Sequence, residues 1–323
     1  MGSSMRKLLI GLGIMVVAGG GLFAFVMPKA TLLGEVPGRV HSAAPYGDGY
    51  LLAAGEAGLY EIDGHGVVSK VYKVTGQNVI DVAVSGDAVY TLAFSPRNRR
   101  NDLQAVDPEA GAIVRSISLG GSVVDLAGVL ADGQVVIVEG GQVRFIEAGT
   151  DHTLSRVQVT GGMLTGAHLV GDRLYASRGF AGGLVTIDTS TPALLDVIET
   201  TDWLNSAVVA GRRAYVIGSL KGPGVLDLDT HDYTRVNVID FFADEAGTAY
   251  ALVKKAIYKL DEHGKPVRRT GLTSAIRSAV KNAVYKTILA VNTREILIAC
   301  DGKIFKLVPV WLPLAPAALP VSE

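Results

Sequence analysis

The sequence predicts an all-β fold: a seven-bladed β-propeller preceded by one apolar N-terminal segment. Three observations predict it. A pattern recurs roughly every forty residues, each copy holds several short alternating strands divided by glycine-rich turns, and a strand near the N-terminus supplies what the last copy lacks.

The sharpest thread is a short strand ending in a carboxylate. Its copies are Tyr60-Glu-Ile-Asp63, Gln104-Ala-Val-Asp107, Arg144-Phe-Ile-Glu147, Val185-Thr-Ile-Asp188, Leu226-Asp-Leu-Asp229 and Tyr258-Lys-Leu-Asp261, with Phe305-Lys-Leu-Val308 as a seventh that lacks the acid. Successive ends lie 44, 40, 41, 41, 32 and 47 residues apart. Units of that length are propeller blades, whose twisted sheets bury their faces only against neighbours.

An opening strand precedes each unit, as in Asn78-Val-Ile-Asp81-Val-Ala-Val-Ser-Gly-Asp87, Ser122-Val-Val-Asp125 and Val238-Ile-Asp240-Phe-Phe. An apolar, often tyrosine-bearing run follows after Gly-Asp or Gly-Arg, which is hairpin-turn chemistry. Examples are Val89-Tyr-Thr-Leu92, Val135-Val-Ile-Val138 and Ala214-Tyr-Val-Ile217. A fourth strand comes after the carboxylate, as in Ala112-Ile-Val-Arg-Ser-Ile-Ser118. The seventh unit stops at Val310 after three strands, and Leu32-Leu-Gly-Glu-Val36 is placed to complete it and close the ring. Six or eight blades remain alternatives, because Ser274–Tyr285 reads either as an amphipathic helix or as two strands.

The expected organisation is therefore 1–30 as membrane segment, 31–310 as propeller and 311–323 as a proline-rich tail. Arg6 and Lys7 precede Leu8 to Met27, a stretch without charge. Twenty such residues span about 30 Å as a helix, the thickness of a bilayer core. A cleaved secretory signal is the alternative, and in both cases the positive N-terminal flank directs the rest of the chain out of the cytoplasm. The single cysteine, Cys300, rules out an internal disulfide and reads as a buried small hydrophobe. A formal net charge of -1 supplies no long-range field for nucleic acid.

The run Gly171-Asp-Arg-Leu-Tyr-Ala-Ser-Arg-Gly-Phe-Ala-Gly-Gly-Leu184-Val-Thr-Ile-Asp188 and the opener Asp81-Val-Ala-Val-Ser-Gly-Asp87 resemble the LVIVD-repeat, YVTN-like propellers of bacterial and archaeal surface proteins. The resemblance covers blades two to six. It implies propeller architecture and no particular chemistry, since that family shares no catalytic residue set. Quinoprotein tryptophan repeats, sialidase boxes, a Gly-x-Ser-x-Gly elbow and a His-Glu-x-x-His pair are all missing from the sequence.

Four features remain as candidates. Asp81, Asp125 and Asp240 occupy equivalent openers and could face the central channel, either holding a hard cation such as calcium or bonding backbone N-H groups of the next blade. The carboxylates at the strand ends read as turn formers. Arg97, Arg99 and Arg100 sit on an extended hairpin suited to an acidic partner or lipid phosphate. Trp311, Leu312 and Leu314 belong to the apolar, proline-rich tail, suited to a partner's groove or to the propeller itself. The six histidines show no metal spacing.

Together these features point to a non-enzymatic, membrane-tethered, extracytoplasmic propeller that binds other envelope or membrane proteins as a scaffold subunit, with no cofactor. The rival is a calcium-dependent, lactonase-type hydrolase working at the channel mouth around the three aspartates.

Overall fold

Each apolar run is short, rich in Val, Ile, Leu and Tyr, and bounded by glycine or aspartate, so it forms a strand of one hairpin rather than a helix. A computed structural model describes residues 28–314, except 122, 201, 202, 218–221, 245, 292 and 293. The predicted Leu8–Met27 segment and the tail beyond Leu314 lie outside the described residues. Among those described, no helix is long and apolar enough to cross a membrane.

The strands assemble into seven antiparallel sheets. Blades one to six occupy 42–72, 78–120, 123–158, 164–198, 206–235 and 240–271. Blade seven takes its three inner strands from 286–308 and its outer strand from Lys29–Glu35. The predicted closure is thus present: Lys29 pairs with Val308 and Glu35 with Lys303, and the Val36 N-H donates to the Gly302 carbonyl at 2.8 Å. The innermost strands touch in cyclic order, the first meeting the seventh.

Burial follows from this ring. Every residue of the second strands Val135–Glu139 and Ile296–Cys300 is buried, because both faces of a blade are covered by its neighbours. The apolar clusters straddle blade boundaries. Tyr90, Leu92 and Leu103 of blade two pack with Leu126, Ile137 and Ile146 of blade three, and Leu52 and Ile62 of blade one pack with Leu297 and Ile304 of blade seven. Burying one such side chain stabilises by about 1.5–3 kcal/mol. No single blade holds that stabilisation without its neighbours.

The ambiguous stretch between blades six and seven is a helix, Ser274–Asn282. Ile276 and Val280, one turn apart, are buried in the cluster between those blades, so the apolar spacing is helical. Blade seven therefore opens at Lys286, and seven blades stand. A smaller difference lies in blade five, where the third strand ends at Asp227 rather than Asp229. The Asp227 carboxylate starts the turn, accepting the N-H groups of Asp229 and Thr230.

Up to Leu314 the tail lies on the propeller itself, one of the two placements its composition suggests. Leu312–Pro313 adds a fifth strand to blade six beside Arg268 and Arg269, Leu314 N-H donates to the Val267 carbonyl, and the Trp311 ring lies 5.9 Å from that of Tyr250. The outer strand of a blade has an open hydrogen-bonding edge, and an extended segment satisfies it.

Strand alternation sorts the connections onto two faces. The hairpins joining first to second and third to fourth strands lie on one, the turn face. The hairpins joining second to third strands, and the crossings between blades, lie on the other, the crossing face.

Candidate functional site

The three channel aspartates are spent on blade docking. Asp81 Oδ2 accepts the N-H of Leu126 in blade three at 3.2 Å, Asp125 Oδ2 accepts that of Ala167 in blade four at 2.6 Å, and Asp240 Oδ2 accepts that of Ile288 in blade seven at 2.9 Å. Thr287 adds a hydroxyl donor to Asp240 at 2.6 Å. Ser42 does the same for blades one and two, its Oγ accepting the Val82 N-H at 3.1 Å. Each bond satisfies an inner-strand N-H that would otherwise face the channel unpaired.

The Asp81 and Asp125 carboxyls also bear on one another's protonation. Burial pushes both carboxyls up, Asp125 the further because the Asp81 charge adds to it. Burial likewise lifts Asp240 to about 6, against its hydrogen bonds from Thr287 and Ile288. A calcium site needs several ionised oxygens free to turn inward. Here the oxygens are already engaged and burial disfavours the charged form, and no three His, Cys, Asp or Glu side chains converge on a metal-sized site among the described residues.

Blade four carries no aspartate at this position, and the sequence pattern breaks there. His168 takes over: its Nδ1 accepts the N-H of Val209 in blade five at 2.9 Å, and burial lowers its pKa to about 4, so the ring is neutral and able to accept. Gly166 is the true counterpart of Asp81 and Asp125, so the latch has moved two residues along the strand. That shift keeps it on the channel side, because side chains alternate. Cys300 is buried, its thiol pushed up to about 11 by that burial.

The strand-end carboxylates behave as turn formers. Asp63 accepts the N-H of His65 and Val67, Asp188 that of Ser190 and Thr191, and Asp261 that of His263 and Lys265.

What remains for recognition is exposed on the crossing face. Arg97, Arg99 and Arg100 project from the hairpin between the second and third strands of blade two. Its base is fixed, since Asp102 accepts from Gln77 Nε2 at 2.9 Å and Gln77 Oε1 accepts from Gln104 Nε2 at 2.8 Å. Further round that face Phe180 and Trp203 meet edge to face, ring centres 4.6 Å apart, with Phe180 64% exposed. The sequence separates this pair by 23 positions and gives no pattern that would join them. The structure does not bring the arginine loop together with Trp311, Leu312 and Leu314, which lie on the outer edge of blade six.

No protein-family model matches the chain, and no curated protein sequence does. Solved structures do share its fold. A chain of the mitotic checkpoint complex superposes with a TM-score of 0.63 at 11% identity, covering 88% of this chain and 95% of that one. The WD40 β-propeller domain of Doa1 gives 0.61 at 11%, covering 86% and 96%. Likeness at this identity establishes the seven-bladed propeller fold alone and leaves the chemistry to the residues themselves.

Proposed function

We propose that the chain is a protein-binding propeller, tethered to a membrane by Leu8–Met27 with its blades outside the cytoplasm, and that it serves as a scaffold subunit of a cell-envelope assembly. One observation carries this reading: the channel aspartates hold blades together, while the arginine loop and the Phe180–Trp203 pair stand exposed on hairpins and crossings of one face. Similarity to a chain of a multi-protein checkpoint complex accords with it. So does the resemblance to LVIVD-repeat surface propellers. A channel-mouth hydrolase gains nothing from carboxylates already committed to backbone N-H groups.

The test is mass spectrometry of proteins retained by the tagged full-length chain from native membranes in mild detergent. Stoichiometric partners are expected, and loss of some on deleting 309–323 would assign them to the blade-six edge. Recovery of the chain alone, as a monodisperse monomer, sinks the scaffold reading.

A further inference from the structure

The two faces of the disc carry opposite charge. Turn chemistry makes the turn face acidic: Asp48, Asp87, Asp132 and Asp172 occupy hairpins there, in addition to the turn-forming carboxylates. These acids have a structural reason to be present. Among the cations of that face, Arg212 is paired with Asp229 and Arg213 with Asp227.

Several exposed cations of the crossing face have no such reason. Arg97, Arg99 and Arg100 of blade two, and Lys254 and Lys255 of the matching hairpin in blade six, are exposed and form no ion pair among the described residues. Lys73 on the crossing into blade two is exposed, and so is Arg39 on the crossing into blade one, its guanidinium held 4.2 Å over the Tyr285 ring. Blades six, seven, one and two are consecutive in the ring, so these charges form one arc. Glu35, Glu56 and Asp301 interrupt it without balancing it, and Asp301 already accepts the Tyr285 N-H at 2.9 Å.

We propose that this arc is the docking surface for an acidic segment of a partner protein, an inference that rests on the scaffold reading above. The course of the chain decides between protein and lipid. Lys29 begins its strand on the turn face, opposite Val308, with only Pro28 between it and Met27. A membrane-embedded Leu8–Met27 therefore sets the acidic face next to the lipid and the basic arc on the far side. The first and second strands of the blades, four to eight residues long, separate the faces. At about 3.3 Å per residue that is roughly 13 Å or more, beyond a Debye length of about 8 Å. Lipid phosphate is out of the arc's reach.

The experiment measures binding of a fluorescent polyglutamate peptide to the full-length chain in detergent micelles. Saturable, equimolar binding that weakens with salt is expected. Reversing Arg97→Glu, Arg99→Glu, Lys254→Glu and Lys255→Glu together should weaken it on the order of thirtyfold, as the sum of several exposed ion pairs. Reversing Arg173→Glu and Lys265→Glu on the turn face should leave it unchanged. Both variants are checked for an unaltered thermal melt. Binding indifferent to the arc variant, or lost equally with the turn-face variant, overturns the proposal, as does competition by vesicles of anionic phospholipid. A native partner that stays bound to the arc variant leaves the scaffold standing and removes this surface. Peptide binding lost on arc reversal, with no native partner recovered, retains the surface and removes the scaffold.

Discussion

Asp240 carries a pH dependence of known sign. Its carboxyl is raised from 3.8 to about 6 in the fold, chiefly by burial. The folded state thus binds the proton more tightly than the unfolded chain, so this contribution is fully present below about pH 4 and is lost as pH rises through about 6. At about 1.4 kcal/mol for each pH unit, the cost of ionised Asp240 above pH 7 is about 3 kcal/mol. His168 runs the other way: held near 4 against an ordinary 6.5, its contribution is present above 6.5 and is lost as pH falls through about 4. Asp240→Asn keeps an oxygen for the Ile288 N-H and the Thr287 hydroxyl but cannot ionise. It should gain stability relative to wild type at pH 8, by up to about 3 kcal/mol, and little at pH 4.5. Denaturant melts at the two pH values check this, and parallel profiles for both proteins would contradict it. The aspartate latches were legible because the same residue type recurs at the same place in three blades. The histidine was not, because it sits two residues further along its strand and takes the Val209 N-H with different chemistry.

At the level of the element, Gly302 controls ring closure. It lies in the turn before the third strand of blade seven, and its carbonyl accepts the Val36 N-H. A Cβ there would fall 1.9 Å from the Val36 carbonyl oxygen and 2.8 Å from that of Gly38. Both obstacles are backbone, so the crossing that follows the N-terminal strand must move. Gly302→Ala should therefore cost about 1–3 kcal/mol and expose the chain near residues 36–41 to protease while other blades stay protected. Limited proteolysis with mass mapping reads this directly, and an unchanged cleavage pattern would contradict it. The closing strand itself was legible in the sequence, since a unit lacking its fourth strand and a spare strand at the other terminus imply each other. Two elements were less legible. The Ser274–Asn282 helix has short apolar runs whose period is indistinct until Ile276 and Val280 are seen buried together. The tail's proline content signals an extended segment but not which blade edge it pairs with, because backbone pairing at an edge demands little of the side chains.

For the whole molecule, closure decides cooperativity. An open array of repeats is stabilised by intrinsic and nearest-neighbour terms, so its ends fray and it can melt in parts. A ring has no terminal repeat, and each blade here is held on both sides by an apolar cluster and, at several boundaries, by a channel latch. The full-length chain should then unfold in one transition whose calorimetric and van't Hoff enthalpies agree. Deleting residues 1–36 removes the outer strand of blade seven, and with it the pairing from Lys29 to Glu35 and the Val36 bond to Gly302. Blade seven then has an exposed outer edge, and blade one loses Val36 from the cluster that joins it to blade seven. The expected result is a main transition lower by about 10 °C and an earlier, separate one from blades seven and one, with a van't Hoff enthalpy below the calorimetric value. A single sharp transition at the original temperature would mean that the interfaces between the remaining strands hold the ring unaided, and that the N-terminal strand is present to position the segment before it.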